Sequence, residues 1–196
     1  KGGHDDGTAH MGLWSKLSGG DRDARARQAM QALYSAIVQS GRKPAWYLQG
    51  GVTDSVDGRF DMIPSILALV LLRMERDTAT GLGDQAQNSV WLTELFVDDM
   101  DGQLREFGIG DMIVGKHVGR LMGALGGRLG TMRDALADPD GAAAALADYA
   151  RRNIHGVGDA EPSKADWLGA QLLAQFRHIC GVPMDALIAG QQVDPA

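Results

Sequence analysis

FDMIPSILALVLLRM, from Phe60 to Met74, is the most apolar stretch of this 196-residue chain. A helix that spans a bilayer needs about 18 or more consecutive apolar residues. This stretch is shorter, contains Pro64 and carries Arg73 near its end. It therefore predicts a helix buried in the core of a soluble domain rather than a membrane span.

Apolar residues on both sides of this stretch recur every three or four positions. Met30, Leu33 and Ile37 follow this spacing before it, and Trp91 and Leu95 follow it afterwards. Such spacing is typical of amphipathic helices, and no alternating strand pattern interrupts it. We therefore predict an all-α fold, a single compact multi-helix domain of about six helices. We expect them at about 13–41, 60–79, 84–104, 112–137, 139–154 and 163–180, with Asp84, Asp111 and Ser163 as N-caps.

The ends of the chain differ in composition from its middle. Residues 1–11, KGGHDDGTAHM, resemble an expression-tag remnant and are set aside. Residues 12–182 form the predicted helical domain, and residues 183–196 are expected to be a C-terminal tail. No secretory signal precedes the domain, so the expected location in a bacterium is the cytoplasm.

Charge and cysteine content exclude several classes of protein. The formal net charge of −6 removes the electrostatic attraction that dominates binding to phosphate backbones, so direct nucleic-acid binding is not expected. Cys180 is the single cysteine, which rules out an internal disulfide. The histidines lack metal-ligand spacing, and no residue has the neighbours of a catalytic nucleophile. We expect no catalytic residue, no metal and no cofactor.

The stretch GDMIVGKH, from Gly110 to His117, has the glycine spacing of a phosphate-binding loop. That loop needs a serine or threonine where His117 stands, and a preceding buried strand that this helical chain does not offer. We interpret the stretch as a junction between two helices. Gly108 would end the third helix in a left-handed conformation, and Asp111 would cap the fourth.

Four glycines, which we call the glycine face, recur at intervals of four residues in the fourth predicted helix: Gly115, Gly119, Gly123 and Gly127. A glycine inside a helix costs about 1 kcal/mol relative to alanine, so a packing or binding gain should offset them. One interpretation, which we favour, is a tight internal helix pair on this face. The other is a docking face for a hydrophobic partner helix, and the sequence does not separate the two.

Asp98, Asp99 and Asp101 resemble the aspartate cluster that holds magnesium and diphosphate in helical prenyl-transfer enzymes. Gly102 stands where another carboxylate is common, and no second aspartate-rich cluster is present. We therefore favour a structural role, in which carboxylates cap helices and pair with arginines. Two such pairings are expected to be buried or half-buried: Arg105 with Glu106, and Arg59 with Asp54, Asp57 or Asp61.

Four segments together resemble the ubiquinol–cytochrome c chaperone family. They are WYLQGGVTDSVDGRFDMI (46–63), LFVDDMDGQLREFGIGDMIVGKHVGRL (95–121), GRLGTMRDAL (127–136) and RRNI (151–154), which we call the first to fourth motif segments. The resemblance implies a helical, non-enzymatic assembly factor for the ubiquinol–cytochrome c oxidoreductase complex. The client it implies is newly made cytochrome b or another hydrophobic membrane-protein segment. The resemblance also allows a second assembly factor as a partner and peripheral contact with the inner membrane.

The resemblance also implies which residues contact the client or a partner, or hold the motifs in shape. The matching positions are Gly51, Asp54, Gly58, Arg59, Phe60, Asp99, Met100, Asp101, Leu104, Arg105, Glu106, Gly108, Gly110, Asp111, Val114, Gly115 and Lys116, to which the glycine face adds Gly119 and Gly123. Two other functions stay open at this point. One is a magnesium-dependent diphosphate-binding enzyme, and the other is a structural module that self-associates through the glycine face.

Overall fold

The structure is a computed structural model that describes residues 9–83, 85–106 and 111–195, with side chains described for 25–83, 85–103 and 119–195. These residues form eight helices and no strand, which confirms the all-α prediction. The six longer helices are the six predicted, and two five-residue helices were not predicted. The helices are α1 (Ala9–Gly41), α2 (Pro44–Leu48), α3 (Val56–Thr80), α4 (Ala86–Glu106), α5 (Asp111–Ala137), α6 (Ala142–Asn153), α7 (Pro162–Gly181) and α8 (Met184–Ile188).

The apolar stretch that begins at Phe60 lies in α3, which is the central helix. α1, α4, α5 and α7 all contact α3, and every residue from Met62 to Met74 is buried. A helix that is apolar on all sides needs such a surrounding. Arg73 is buried as well: it forms an ion pair with Asp77 one turn later and donates from Nε to the Ile179 carbonyl oxygen, 3.2 Å away. No helix in the described part of the chain is long and apolar enough to cross a bilayer.

Local capping explains where the helices begin and end. α3 starts earlier than predicted because the Ser55 hydroxyl accepts a hydrogen bond from the Gly58 N–H at 3.2 Å. It ends at Gly81, whose φ of 72° is left-handed. The prediction that Ser163 caps the last long helix is wrong, because α7 already begins at Pro162, a residue suited to the first helical position. The predicted cap Asp84 lies outside the described residues.

The last residues of the chain pack against its first helix. Leu187 and Val193 are buried, although the sequence after Pro183 shows little apolar pattern. Asp194 accepts a hydrogen bond from the Ser40 hydroxyl at 2.6 Å and pairs with Lys43 at 3.0 Å. Residues 183–195, which the sequence sets apart as a tail, therefore tie the end of the described chain to α1.

α6 and α7 make the tightest helix pair, at Gly169 of α7. A Cβ at this position would overlap the Ala143 carbonyl oxygen and lie 2.5 Å from the Ala147 nitrogen. Only glycine allows the two backbones to approach this closely.

Candidate functional site

The glycines of α5 from Gly119 onwards lie on the solvent side of the helix. α5 buries Leu125 and Met132, which point towards the core from the opposite side. The favoured interpretation, a tight internal helix pair on these glycines, is wrong for Gly119, Gly123 and Gly127, because no described atom lies within 4 Å of a Cβ at any of the three; a close helix pair forms at Gly169 of α7. The open face, as we call it, consists of five positions where a Cβ would meet no described atom within 4 Å: Gly119, Gly123, Gly126, Gly127 and Gly130.

A groove of about 780 Å³ runs along one edge of the open face. α4 and α5 form its walls, and Leu71 of α3 lies at its floor. Met122 lies three residues after Gly119 and four before Gly126, so it projects from the same side of α5 as these glycines. Its side chain is 42% exposed, and Val90 on the facing wall is 50% exposed. The apolar groove, defined by Leu71, Val90, Val97, Met122 and Leu129, therefore leaves large apolar side chains in contact with water.

Charged side chains form the rim of the apolar groove. Arg27 of α1 pairs with Asp98 at 2.9 Å and with Glu94 at 3.5 Å, both on α4. Glu75 of α3 pairs with Arg133 of α5 at 2.9 Å. The rim therefore carries three carboxylates and two arginines around an apolar floor.

Two aspartates of α4, Asp98 and Asp99, contact α1. Asp99 accepts a hydrogen bond from the Tyr34 hydroxyl at 2.6 Å and another from the Gln103 amide at 2.9 Å. Burial, with added effect from Asp99, raises the pKa of Tyr34 well above its ordinary value. Asp98 pairs with Arg27, as the structural interpretation expects, whereas Asp99 is held by a tyrosine and a glutamine rather than by an arginine. Among the described residues, no group of three or more His, Cys, Asp or Glu side chains is placed to hold a metal ion.

A second, smaller cavity of about 260 Å³ lies between α3, α4 and α5. It is the place where three of the four motif segments meet, and we call it the motif cavity. The first motif segment contributes Phe60 and Asp61, and the third contributes Arg128. The second contributes Phe96, Met100, Arg120 and Leu121. The lining also includes Pro64, Ala124 and Leu125, which lie outside the motif segments.

One ion pair beside the motif cavity joins the first, third and fourth motif segments. The Arg128 guanidinium donates from Nη2 to Oδ1 of Asp61 at 2.5 Å and to the Asn153 carbonyl oxygen at 3.1 Å. The His155 N–H donates to the other carboxylate oxygen of Asp61 at 3.0 Å. Burial raises the pKa of Asp61 above its ordinary value, and Arg128 and the His155 N–H oppose this rise. Sequence reasoning missed this pair, and its one signal was that both residues lie in motif segments.

The remaining residues predicted from the first motif segment shape a loop. Gly51 has a φ of 74° and lies against Ala160, and a Cβ at Gly58 would overlap the Thr53 carbonyl oxygen. Both positions therefore require glycine for reasons of backbone geometry. Asp54 pairs with Arg59 at 2.8 Å, and both side chains are exposed, so the prediction of a buried or half-buried pair is wrong here.

Most of the residues predicted from the second motif segment cannot be placed relative to the first, because their side chains lie outside the described part of the structure. Asp99 and Asp101 lie in α4, and Gly119 and Gly123 lie on the open face. Gly108 and Gly110, with the predicted C-cap, lie outside the described residues. Only the helical backbone is described for Arg105, Glu106, Asp111, Gly115 and Lys116, so the predicted pairing and N-cap stay predictions.

Comparison with known proteins gives one family. The family model of the ubiquinol-cytochrome C chaperone matches residues 48–193. The crystal structure of the Cbp3 homolog from Brucella abortus is similar to this structure, with a TM-score of 0.71 and 32% sequence identity. The match covers 89% of this chain and 93% of that chain. No curated protein matches significantly. The chain therefore belongs to the ubiquinol-cytochrome C chaperone family.

Proposed function

We propose that this chain is a non-enzymatic assembly chaperone that binds newly made cytochrome b and assists biogenesis of the ubiquinol–cytochrome c oxidoreductase complex. Membership of the chaperone family supports the assembly role. The observation that carries the proposal is the apolar groove, in which Val90 and Met122 are 50% and 42% exposed. Apolar side chains that stay in contact with water beside a groove are typical of a binding surface.

An apolar helix of the client fits the shape of this surface. Its side chains would fill the apolar groove, where removal of apolar surface from water supplies the affinity. Its backbone would pass close to the open face of α5, where no described side chain lies against the glycines. Five glycines each cost α5 about 1 kcal/mol of helix stability, and close contact with a client would offset that cost. The flexible side chain of Met122 can adapt to different client side chains.

The excess of negative charge on the rim of the apolar groove suits binding of the basic ends of membrane segments. Glu75, Glu94 and Asp98 outnumber the two arginines that pair with them. Transmembrane helices carry an excess of Lys and Arg next to their cytoplasmic ends. A basic flank of the client would therefore meet a rim of opposite sign, while the chain itself works in the cytoplasm, in peripheral contact with the inner membrane through its client.

Affinity purification from detergent-solubilised membranes of the native host tests this proposal, with an antibody against cytochrome b as the readout. Wild type should recover cytochrome b. Val90→Glu places a charge in the apolar groove and should abolish recovery. Leu82→Glu is the matched control, since Leu82 is 75% exposed, lies in the turn between α3 and α4 and is not part of the groove lining. Equal recovery by both variants, or none by wild type, would contradict the proposal.

Self-association is the alternative that the open face also supports, because a second copy of α5 could approach the same glycines. Analytical ultracentrifugation distinguishes it: a mass that rises with concentration, and that Gly123→Leu returns to the monomer, would favour a self-associating module over a client chaperone.

A further inference from the structure

We propose that the motif cavity is a second docking site, which receives an aromatic side chain of a partner polypeptide together with a neighbouring carboxylate of that partner. The site is separate from the apolar groove. α5 lies between the two, since it presents Met122 and Leu129 to the groove but Arg120 and Leu121 to the motif cavity. The inference therefore does not depend on where cytochrome b binds.

The size and walls of the motif cavity suit one aromatic ring. Phe60, Pro64 and Phe96 form one side of it, and Leu125 of α5 lies opposite. Sites for drug-sized ligands usually exceed about 300 Å³, so a cavity of about 260 Å³ is suited to a single side chain rather than a cofactor. Aromatic rings such as Phe60 and Phe96 favour edge-to-face contact with another ring, and buried aromatic anchors dominate many protein interfaces.

The charge at the motif cavity identifies the second part of the ligand. Its lining includes two arginines but only one carboxylate, Asp61, in a chain whose net charge is −6. The charge of Arg128 is balanced by Asp61, which accepts a hydrogen bond from its guanidinium. Arg120 is an exposed residue of the lining, and no ion pair or hydrogen bond joins it to another described residue. Local positive charge of this kind favours a partner with an acidic group beside its aromatic anchor.

Short peptides test both parts of this ligand. The probe is acetyl-Phe-Glu-amide, with acetyl-Phe-Gln-amide as the control that removes only the charge and acetyl-Ala-Glu-amide as the control that removes only the ring. Binding is followed by NMR of methionine methyl groups. The Met100 methyl lines the cavity and reports on it, while the Met74 methyl lies in the core, outside the cavity lining, and is the internal reference.

We expect the Phe-Glu peptide to shift the Met100 methyl signal and to bind about two- to fivefold more tightly than the Phe-Gln peptide, which is the effect of an exposed ion pair. The Ala-Glu peptide should leave the signal unchanged. The Arg120→Gln variant should bind the Phe-Glu and Phe-Gln peptides with equal affinity. This variant should fold, because Arg120 has no partner among the described residues to lose. Ala124→Phe, at an exposed position of the lining, should fill the cavity and abolish binding.

Three results would overturn the inference. The first is a Met100 signal that no peptide moves at millimolar concentration. The second is equal affinity of wild type for the Phe-Glu and Phe-Gln peptides, and the third is unchanged binding in the Ala124→Phe variant. Because these peptides need no cytochrome b, each of these results is independent of whether the apolar groove holds that client.

Discussion

Replacing Gly123 by alanine on the open face of α5 should stabilise the fold, whereas the same change at Gly169 of α7 should destabilise it. At Gly123 the new methyl group meets no described atom within 4 Å, so the helix gains the full propensity difference of about 1 kcal/mol. At Gly169 the methyl group would overlap the Ala143 carbonyl oxygen and lie 2.5 Å from the Ala147 nitrogen. Such overpacking costs typically about 1–3 kcal/mol.

Chemical unfolding followed by circular dichroism measures both changes. For a domain of this size, 1 kcal/mol corresponds to a shift in Tm of about 2–4 °C, upwards for Gly123→Ala. Alanine at Gly119, Gly123 and Gly127 together should raise the free energy of unfolding by about 2–3 kcal/mol, because none of the three methyl groups meets an atom of the described residues within 4 Å. A loss of stability in Gly123→Ala would show that this face is packed in the folded protein. No loss in Gly169→Ala would refute the close approach of α6 and α7.

Two further predictions concern ionisable groups. Burial is the main cause that raises the pKa of all three tyrosines, Tyr34, Tyr47 and Tyr149, above their ordinary 10.0. The neutral phenols therefore stabilise the fold fully below about pH 10, and this contribution is lost as pH rises through the folded pKa values. Near-ultraviolet tyrosinate absorbance should consequently appear at higher pH in the folded protein than in the unfolded chain. Coincidence of the two titration curves would contradict this. Arg128→Met should cost about 2 kcal/mol at pH 7, because it leaves the half-buried Asp61 carboxylate without its cation. As the folded pKa of Asp61 is raised, that cost should shrink on acidification as the carboxyl group protonates, and an equal cost in urea unfolding at pH 7 and at about pH 4.5 would rule this out.

The core could be predicted from the sequence because its signal is local. Every residue from Met62 to Met74 is buried, and the stretch already shows apolar residues on all sides of a helix. The glycine spacing in α5 was equally visible, but it does not tell which neighbour packs there. Leu125 and Met132, on the opposite side of α5, carried that information, since their burial turns the glycines towards solvent.

The pairings that build the motif cavity could not be predicted. Asp61 and Arg128 are 67 residues apart, and the sequence offers Arg59 as a nearer partner for the same carboxylate. The choice depends on α5 crossing α3 at this point, which is a property of the assembled fold. Gly169 is a similar case, because a single glycine in a helix has no pattern, and its role follows only from the backbone of α6 beside it.

Site-specific photo-crosslinking in the native host tests the central claim most directly. A photoreactive amino acid replaces Thr93, which lines the apolar groove, or Ala174, which is exposed on α7 and serves as the control. Newly made protein is pulse-labelled, and adducts are identified with an antibody against cytochrome b. Client binding in the apolar groove predicts a cytochrome b adduct from position 93 and none from position 174. No adduct at position 93, or equal adducts at both positions, would contradict it.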